Sequence, residues 1–361
     1  MGFPGDAAGI GPAAAGRHHA GGLLRGARRW ADGCGERPRA DYSAVCTLRP
    51  RGLRRGYGPM STPARFLALF LAPALLLYTV FVAVPGAHAL VYSLYRWDGF
   101  RSGEWVGLSN YRALLTDTEL FWPALAHNLF LAVVAGSITL TLAMIFAAML
   151  HRGIRGAGLF RIAFFFPNTL AAVAVALLWV LLYSTTNIGA FNAMLGEFAR
   201  WCAAADIDTS GWPVPYEFLN SSHLITSLVP MLVWANTGFF MVLFLAAMQS
   251  IPETYYEAAT LDGAGPVRQF THVTLPMMRD VLVIAAVFQM ITMLKFFDAV
   301  WVMENEMPSN DSHVLATLMY QRVFSEYQVG SGAAVAALLF LLVFAASALT
   351  FRLSRREALE Y

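Results

Sequence analysis

Lysine is almost missing from this chain: of 25 basic residues, Lys295 is the one lysine and the rest are arginine, a skew that points to a GC-rich coding sequence rather than a physical need. Cysteine is also scarce, and Cys34, Cys46 and Cys202 have neither the spacing of a disulfide framework nor that of a metal site. Charge is scarcest of all. Only 13% of the 361 residues are charged, against about 25% in a typical soluble domain, while 57% are hydrophobic and the mean hydropathy is +0.54. These values exclude an ordinary soluble domain and indicate an all-α integral membrane protein. The net charge of +2 says little about partners. No Walker-type Gly-rich loop is present, so the chain is expected to bind no ATP and no other cofactor itself. No HExxH, CxxC or Ser-His-Asp pattern supports metal or nucleophilic chemistry, and no basic stripe beyond the N-terminus suggests nucleic acid.

Residues 1–59 carry ten arginines and four acids among many Gly and Ala, with little apolar periodicity, and are expected to be disordered. They read either as a basic cytoplasmic tail or as sequence upstream of a true start at Met60; Met60-Ser61-Thr62-Pro63-Ala64-Arg65 leading directly into an apolar run favours the second. From Met60 onward, hydropathy predicts six membrane spans at about 66–94, 124–150, 161–183, 223–248, 281–303 and 329–352. Arg152, Arg155 and Arg161 lie between the second and third without an acid, and Arg352, Arg355 and Arg356 follow the sixth. The positive-inside rule therefore places those segments, and both termini, in the cytoplasm. Between the third and fourth spans, Glu197, Asp206, Asp208 and Glu217 face only Arg200, as suits an outer loop. Trp201 and Trp212 there read as interfacial anchors or as contacts for a soluble partner.

The long polar interval Ile251–Pro276 lies between the fourth and fifth spans. Ser250 followed by Glu253 has the form of a capping box, with Pro252 at an early helical position. A helix is predicted through Tyr255, Tyr256, Glu257, Ala258 and Ala259, closed at Asp262-Gly263. Gly265-Pro266 opens a second helix that Leu275-Pro276 ends. Two alanines beside a glutamate form a small knob that another backbone can approach closely, and two tyrosines supply contact area.

Glu257-Ala258-Ala259, then Gly263, then Val273-Thr274-Leu275-Pro276 resembles the cytoplasmic EAA loop of the membrane subunits of binding-protein-dependent ABC importers. Ile251-Pro252, Asp262-Gly263-Ala264 and Phe270 are similar to the maltose-type sugar-permease branch. So are Gly107-Leu108-Ser109-Asn110-Tyr111 after the first span, Phe164-Phe165-Phe166-Pro167 in the third, and Gly189 with Asn192 and Leu195 outside. The resemblance implies a coupling helix seated in a cleft of an ATPase subunit, with Glu257, Ala258, Ala259, Asp262, Gly263, Ala264, Leu275 and Pro276 as its coupling residues. It also implies a second homologous permease, two ATPase copies that use ATP and Mg, an extracytoplasmic solute-binding protein, a sugar substrate, and residence in the bacterial cytoplasmic membrane. One departure stands out: the family's outer TGGGP turn is replaced by Met303-Glu304-Asn305-Glu306-Met307-Pro308-Ser309-Asn310-Asp311.

The fifth span carries charges at depth. Lys295 stands about 22 Å above Asp280 along a helix, with Asp298 three residues on. The two read either as an ion pair near the outer interface or as lining a pathway. Gln289, Thr292 and Phe296 recur at i, i+3 and i+7, an amide, a hydroxyl and a ring that suit a sugar or, equally, interhelical hydrogen bonding. Asn236 and Phe239 in the fourth span and Asn168 in the third offer similar groups, and the resemblance to maltose-type permeases implies substrate contacts from these three spans.

The expectation is thus a permease subunit moving a sugar. A permease for glycerol phosphate or another anion stays open because of Lys295, and an ion-coupled secondary transporter is the alternative of a different class. A membrane enzyme finds no supporting residues.

Overall fold

The computed structural model describes residues 64–153, 156–186 and 188–354. The expected tail 1–59, the candidate start Met60, and Arg155, Arg355 and Arg356 lie outside them. The described residues from Ala68 onward form one compact unit.

Five helices are long and apolar enough to cross a membrane: Leu69–Tyr92, Phe121–His151, Ser221–Gln249, Arg279–Met303 and Val329–Arg352. A sixth crossing is a bent pair, Ala157–Thr169 and Ala172–Tyr183, whose axes differ by 101°. Counted in chain order these are spans 1 to 6. The third was expected to run unbroken. It breaks because Pro167 sits in the last turn of its first half, and Leu170 and Ala171 take extended backbone, with ψ of 149° and 136°. The Leu170 N–H turns back to the Pro167 carbonyl at 3.2 Å, and Thr169 Oγ1 donates to the Phe166 carbonyl at 2.7 Å, which closes the first half.

Span 4 is the hub. It buries half of its most apolar window, whereas the same window of span 1 is not buried at all. Leu224, Leu228 and Met231 of span 4 pack with Trp179 and Tyr183 of span 3 and Met293 and Val300 of span 5. Nearer its other end, Phe240, Phe244 and Met248 meet Met144, Ala147 and Leu150 of span 2 and Met278. At Gly238 the backbones of spans 3 and 4 touch: a Cβ there would lie 1.9 Å from the Phe164 carbonyl oxygen. Small residues allow such close approach where no hydrophobic drive separates helix from lipid.

Span 5 is broken as well. Its first helix ends at Leu294, Lys295 to Phe297 are non-helical, and a short helix resumes over Asp298–Met303. The carbonyls freed at the break are taken by a residue of span 2. Asn128, fully buried, donates its amide to Met293 O at 2.9 Å and Leu294 O at 3.3 Å, and accepts the Leu315 N–H at 2.8 Å. The asparagines of the loop motifs act alike: Asn110 donates to the carbonyls of Ser93 and Tyr95, and Asn192 bridges Ser184 and Tyr216.

Candidate functional site

The polar interval between spans 4 and 5 folds as a helical hairpin. Its first helix spans Glu253–Leu261. The expected capping box does not form: Pro252 is the N-cap, and Ser250 donates its hydroxyl back to Ala247 O at 2.7 Å, closing span 4. Ser250 lies two residues before the N-cap, as the C-cap of span 4. The C-terminus closes by a Schellman pattern. Ala264 N–H bonds Ala259 O at 2.9 Å and Gly263 N–H bonds Thr260 O at 3.0 Å, with Gly263 in the left-handed region at φ +75°. Nothing crowds Gly263, so the backbone angle alone demands glycine.

The return limb starts at Pro266 and ends at Met277, one residue past the expected Leu275-Pro276. A wide π-turn over Phe270–Thr274 leads into Leu275–Met277. The widened turn accommodates Pro276, which lacks an N–H and would crowd a regular α-turn. The limb and span 5 meet at Met278, a turn residue between the two helices, whose N–H bonds Thr274 O at 3.0 Å and whose carbonyl accepts the Leu282 N–H at 2.9 Å. Gln269 braces the hairpin by donating to Thr260 Oγ1 and Ala264 O.

Glu257, Ala258, Asp262, Leu275 and Pro276 are exposed, while Ala259 and Ala264 are half-buried. Leu261 and Val267 at the tip are 90% and 75% exposed. The two tyrosines diverge: Tyr255 lies on the outer surface, whereas Tyr256 turns inward, its hydroxyl 3.0 Å from Thr274 Oγ1 and its ring beside His151. Arg152, in the basic turn after span 2, donates to the Pro266 carbonyl at 3.2 Å. The basic turn and the hairpin thus share one end of the molecule. Span 4, 29 residues and about 43 Å long, starts at the other end. The bent pair between Arg152 and Ser221 must carry the chain from end to end, so it crosses rather than re-enters.

Between spans 3, 4 and 5 lies a cavity of about 500 Å³. Asn168, Asn236, Thr292, Lys295, Phe296 and Asp298 line it; Phe239 and Gln289 do not. Asn236 and Thr292 donate to carbonyls of their own helices, Leu232 O and Phe288 O. Among the described residues Lys295 and Asp298 form no ion pair, and both are exposed, so each charge is free to face a solute. Phe239 stacks behind the wall on Phe288, ring centres 5.5 Å apart. Gln289 turns away and is buried. The i, i+3, i+7 stripe fails at Gln289, which packs against Gly136 of span 2, while Thr292 and, past the helix end at Leu294, Phe296 both line the cavity.

A larger polar recess of about 640 Å³ sits at the ends of spans 1 and 6. Its main cation, Arg322, is already neutralised by Asp117 at 3.3 Å and Glu326 at 2.9 Å, and the recess touches neither the hairpin nor spans 3 to 5. Sequence reasoning missed Asn128, although a lone asparagine within the apolar run of span 2 was a visible signal. Among the described residues no group of His, Cys, Asp and Glu side chains is placed to hold a metal.

Residues 139–358 match the family described as binding-protein-dependent transport system inner membrane component. The diacetylchitobiose uptake system permease protein NgcF of Streptomyces coelicolor is 30% identical over 327 residues, covering 86% of this chain and 90% of NgcF. The sn-glycerol-3-phosphate transport system permease protein UgpA of Yersinia enterocolitica is 31% identical over 293 residues, 80% of this chain and 94% of UgpA. In the crystal structure of a bacterial alginate ABC transporter in complex with an alginate pentasaccharide-bound periplasmic protein, one chain superposes with a TM-score of 0.67 over 81% of this chain and 94% of that one. At 18% identity this is a likeness of fold.

Proposed function

The chain belongs to the binding-protein-dependent inner membrane components of ABC importers, and from that membership we propose that it forms half of a pathway importing a neutral sugar or short oligosaccharide. The observation that carries this reading is the cavity between spans 3, 4 and 5, where the amides of Asn168 and Asn236, the Thr292 hydroxyl and the Phe296 ring converge. Amides and hydroxyls match a sugar's hydroxyls, and an aromatic face covers its C–H surface. A second permease closes the pathway, an extracytoplasmic binding protein delivers the solute, and both termini lie in the cytoplasm. Two ATPase subunits that bind ATP and Mg grip the hairpins.

Glu257, Ala258, Ala259, Asp262, Gly263 and Ala264 form the docking knob, with Leu275 and Pro276 at the root of the return limb. Closure of the ATPases on ATP draws the hairpin inward. Because the return limb passes into span 5 through the single residue Met278, with no intervening loop, the displacement reaches the cavity wall. None of these residues catalyses a reaction.

A second reading is specific to Lys295. It lines the cavity without an ionic partner among the described residues, which favours an anionic solute such as a glycerol phosphate. The test is ATP-driven uptake by proteoliposomes holding the assembled transporter, with neutral oligosaccharides and glycerol 3-phosphate offered side by side. Uptake of the neutral sugar that Glu257→Lys abolishes, while membrane insertion persists, is the expected result. Uptake driven by a proton gradient without the ATPase would overturn the proposal.

A further inference from the structure

Spans 2 and 5 meet at a contact that is polar yet unpaired. Gln289 of span 5 is 2% exposed and Thr139 of span 2 is fully buried. Neither amide atom of Gln289, nor the Thr139 hydroxyl, has a hydrogen-bond partner among the described residues. Buried side-chain polar atoms are partnered in the large majority of cases. Three threonines of spans 4, 5 and 6 donate to the carbonyl four residues back: Thr237 to Val233 O at 2.6 Å, Thr292 to Phe288 O at 2.9 Å and Thr350 to Ala346 O at 2.8 Å. Thr139 does not.

The surface under Gln289 is smooth. Gly136, one turn before Thr139, presents backbone there, and a Cβ on it would lie 3.4 Å from Gln289 Cγ. At this level no hydrogen bond crosses between the two helices; the polar tie that joins them lies one turn further along span 5, where Asn128 of span 2 holds Met293 O and Leu294 O. The same helix that carries Gln289 is joined to the hairpin through the single turn residue Met278.

Gln289 and Thr292, three residues apart, differ by about 60° around the helix axis. Thr292 already lines the cavity. A roll of that order toward the cavity, or parting of span 2 from span 5, with the Asn128 tie to Met293 O and Leu294 O released or serving as the pivot, brings the Gln289 amide to the cavity wall, where a polar solute can satisfy it.

We propose that the contact between Gly136 and Gln289, with the unpartnered Thr139 one turn further along span 2, is a release surface of the transport cycle. It holds the Gln289 amide buried and unpaired in one state and delivers it to the solute pathway in the other. Because the buried amide is unpartnered, the closed arrangement is poised to open, and the hairpin supplies the motion. Gln289 is thereby a state-dependent positioning residue for the solute. This rests on the importer reading above.

The experiment uses the assembled transporter in membrane vesicles, with Cys34, Cys46 and Cys202 replaced by serine. A Gln289→Cys variant is labelled with a small methanethiosulfonate reagent, without nucleotide and after trapping with Mg-ATP and vanadate. The expected result is a labelling rate that differs by about tenfold between the two states. Equal rates in both states would overturn the inference.

A second variant guards against a merely misfolded one. With Gly136→Cys and Gln289→Cys together, oxidation should form a disulfide that stops uptake, and dithiothreitol should restore it. A disulfide that forms while uptake continues undiminished would also sink the proposal. If the parent transporter couples ATP hydrolysis to sugar uptake and only these variants fail to respond, the release surface is wrong and the importer reading stands. If the parent itself shows no ATP-coupled uptake, the importer reading fails first.

Discussion

The guanidinium of Arg152 donates to the backbone carbonyl of Pro266 at 3.2 Å, across 114 residues of sequence. One group lies in the basic turn after span 2 and the other in the hairpin between spans 4 and 5. The contact ties the arginine excess and the polar hairpin to the same end of the molecule. It also pins the start of the return limb, the part of the hairpin that leads into span 5.

Removing that tie should loosen the hairpin without unfolding the membrane domain. Arg152→Ala is expected to lower ATP-coupled uptake about two- to fivefold, the scale of one modest hydrogen bond, with unchanged membrane insertion. Uptake and co-purification of the ATPase, measured together, check this. Full activity would show that the contact does not position the hairpin.

Gly238→Ala should be among the most damaging single-methyl additions in the chain. The new Cβ would fall 1.9 Å from Phe164 O and 2.8 Å from the Phe165 Cα, so spans 3 and 4 would be forced apart. A loss of about 2–3 kcal/mol is expected, read as lower yield and an earlier thermal transition in detergent. Gly263→Ala, by contrast, meets no atom, so its cost of about 1 kcal/mol comes only from the left-handed backbone.

Within the cavity, Phe296→Ala should raise the KM for a neutral sugar about tenfold through loss of the stacking face. Lys295→Ala should change sugar uptake little and abolish uptake of an anion. Transport assays on both solutes separate the two effects. A reversed pattern, with sugar lost in the lysine variant alone, would reassign the cavity to an acidic substrate.

The segment between spans 5 and 6 holds a fully buried histidine. His313 Nδ1 lies 3.1 Å from Thr317 Oγ1, its carbonyl accepts from His127 Nδ1 at 2.8 Å, and its Nε2 has no partner among the described residues. Burial holds its pKa below 6.5; the positive charge of Arg322 and the neighbouring His127 push the same way, against Gln321 and Glu326. The folded state therefore resists protonation, so the unfolded chain binds more protons once the pH falls through about 6.5. Stability should decline from there down to the lower folded-state pKa. Melting temperatures at pH 7.5 and pH 5 should differ more for the parent than for His313→Gln. An identical difference in both would exclude His313 as the source.

Much of this protein was legible one residue at a time. Charge scarcity announced the membrane, long apolar runs marked the helices, and Gly263 with its spaced neighbours announced the hairpin's turn. Each of these signals is local: hydropathy, helix closure and glycine backbone freedom depend on a few adjacent residues. The sequence by itself therefore determined the helical class, the place of the polar hairpin and the family.

The tertiary structure decided what depends on distant partners. Ser250 closed span 4 instead of capping the hairpin, and Pro276 was absorbed into a widened turn. Span 5 broke where Asn128, more than a hundred and sixty residues away, was ready to take its carbonyls. Gln289 faced span 2 instead of the cavity because Gly136 left room for it there. Periodicity places a side chain on a helix, but packing chooses which neighbour that face meets, and that choice separates a residue lining the pathway from one hidden behind it.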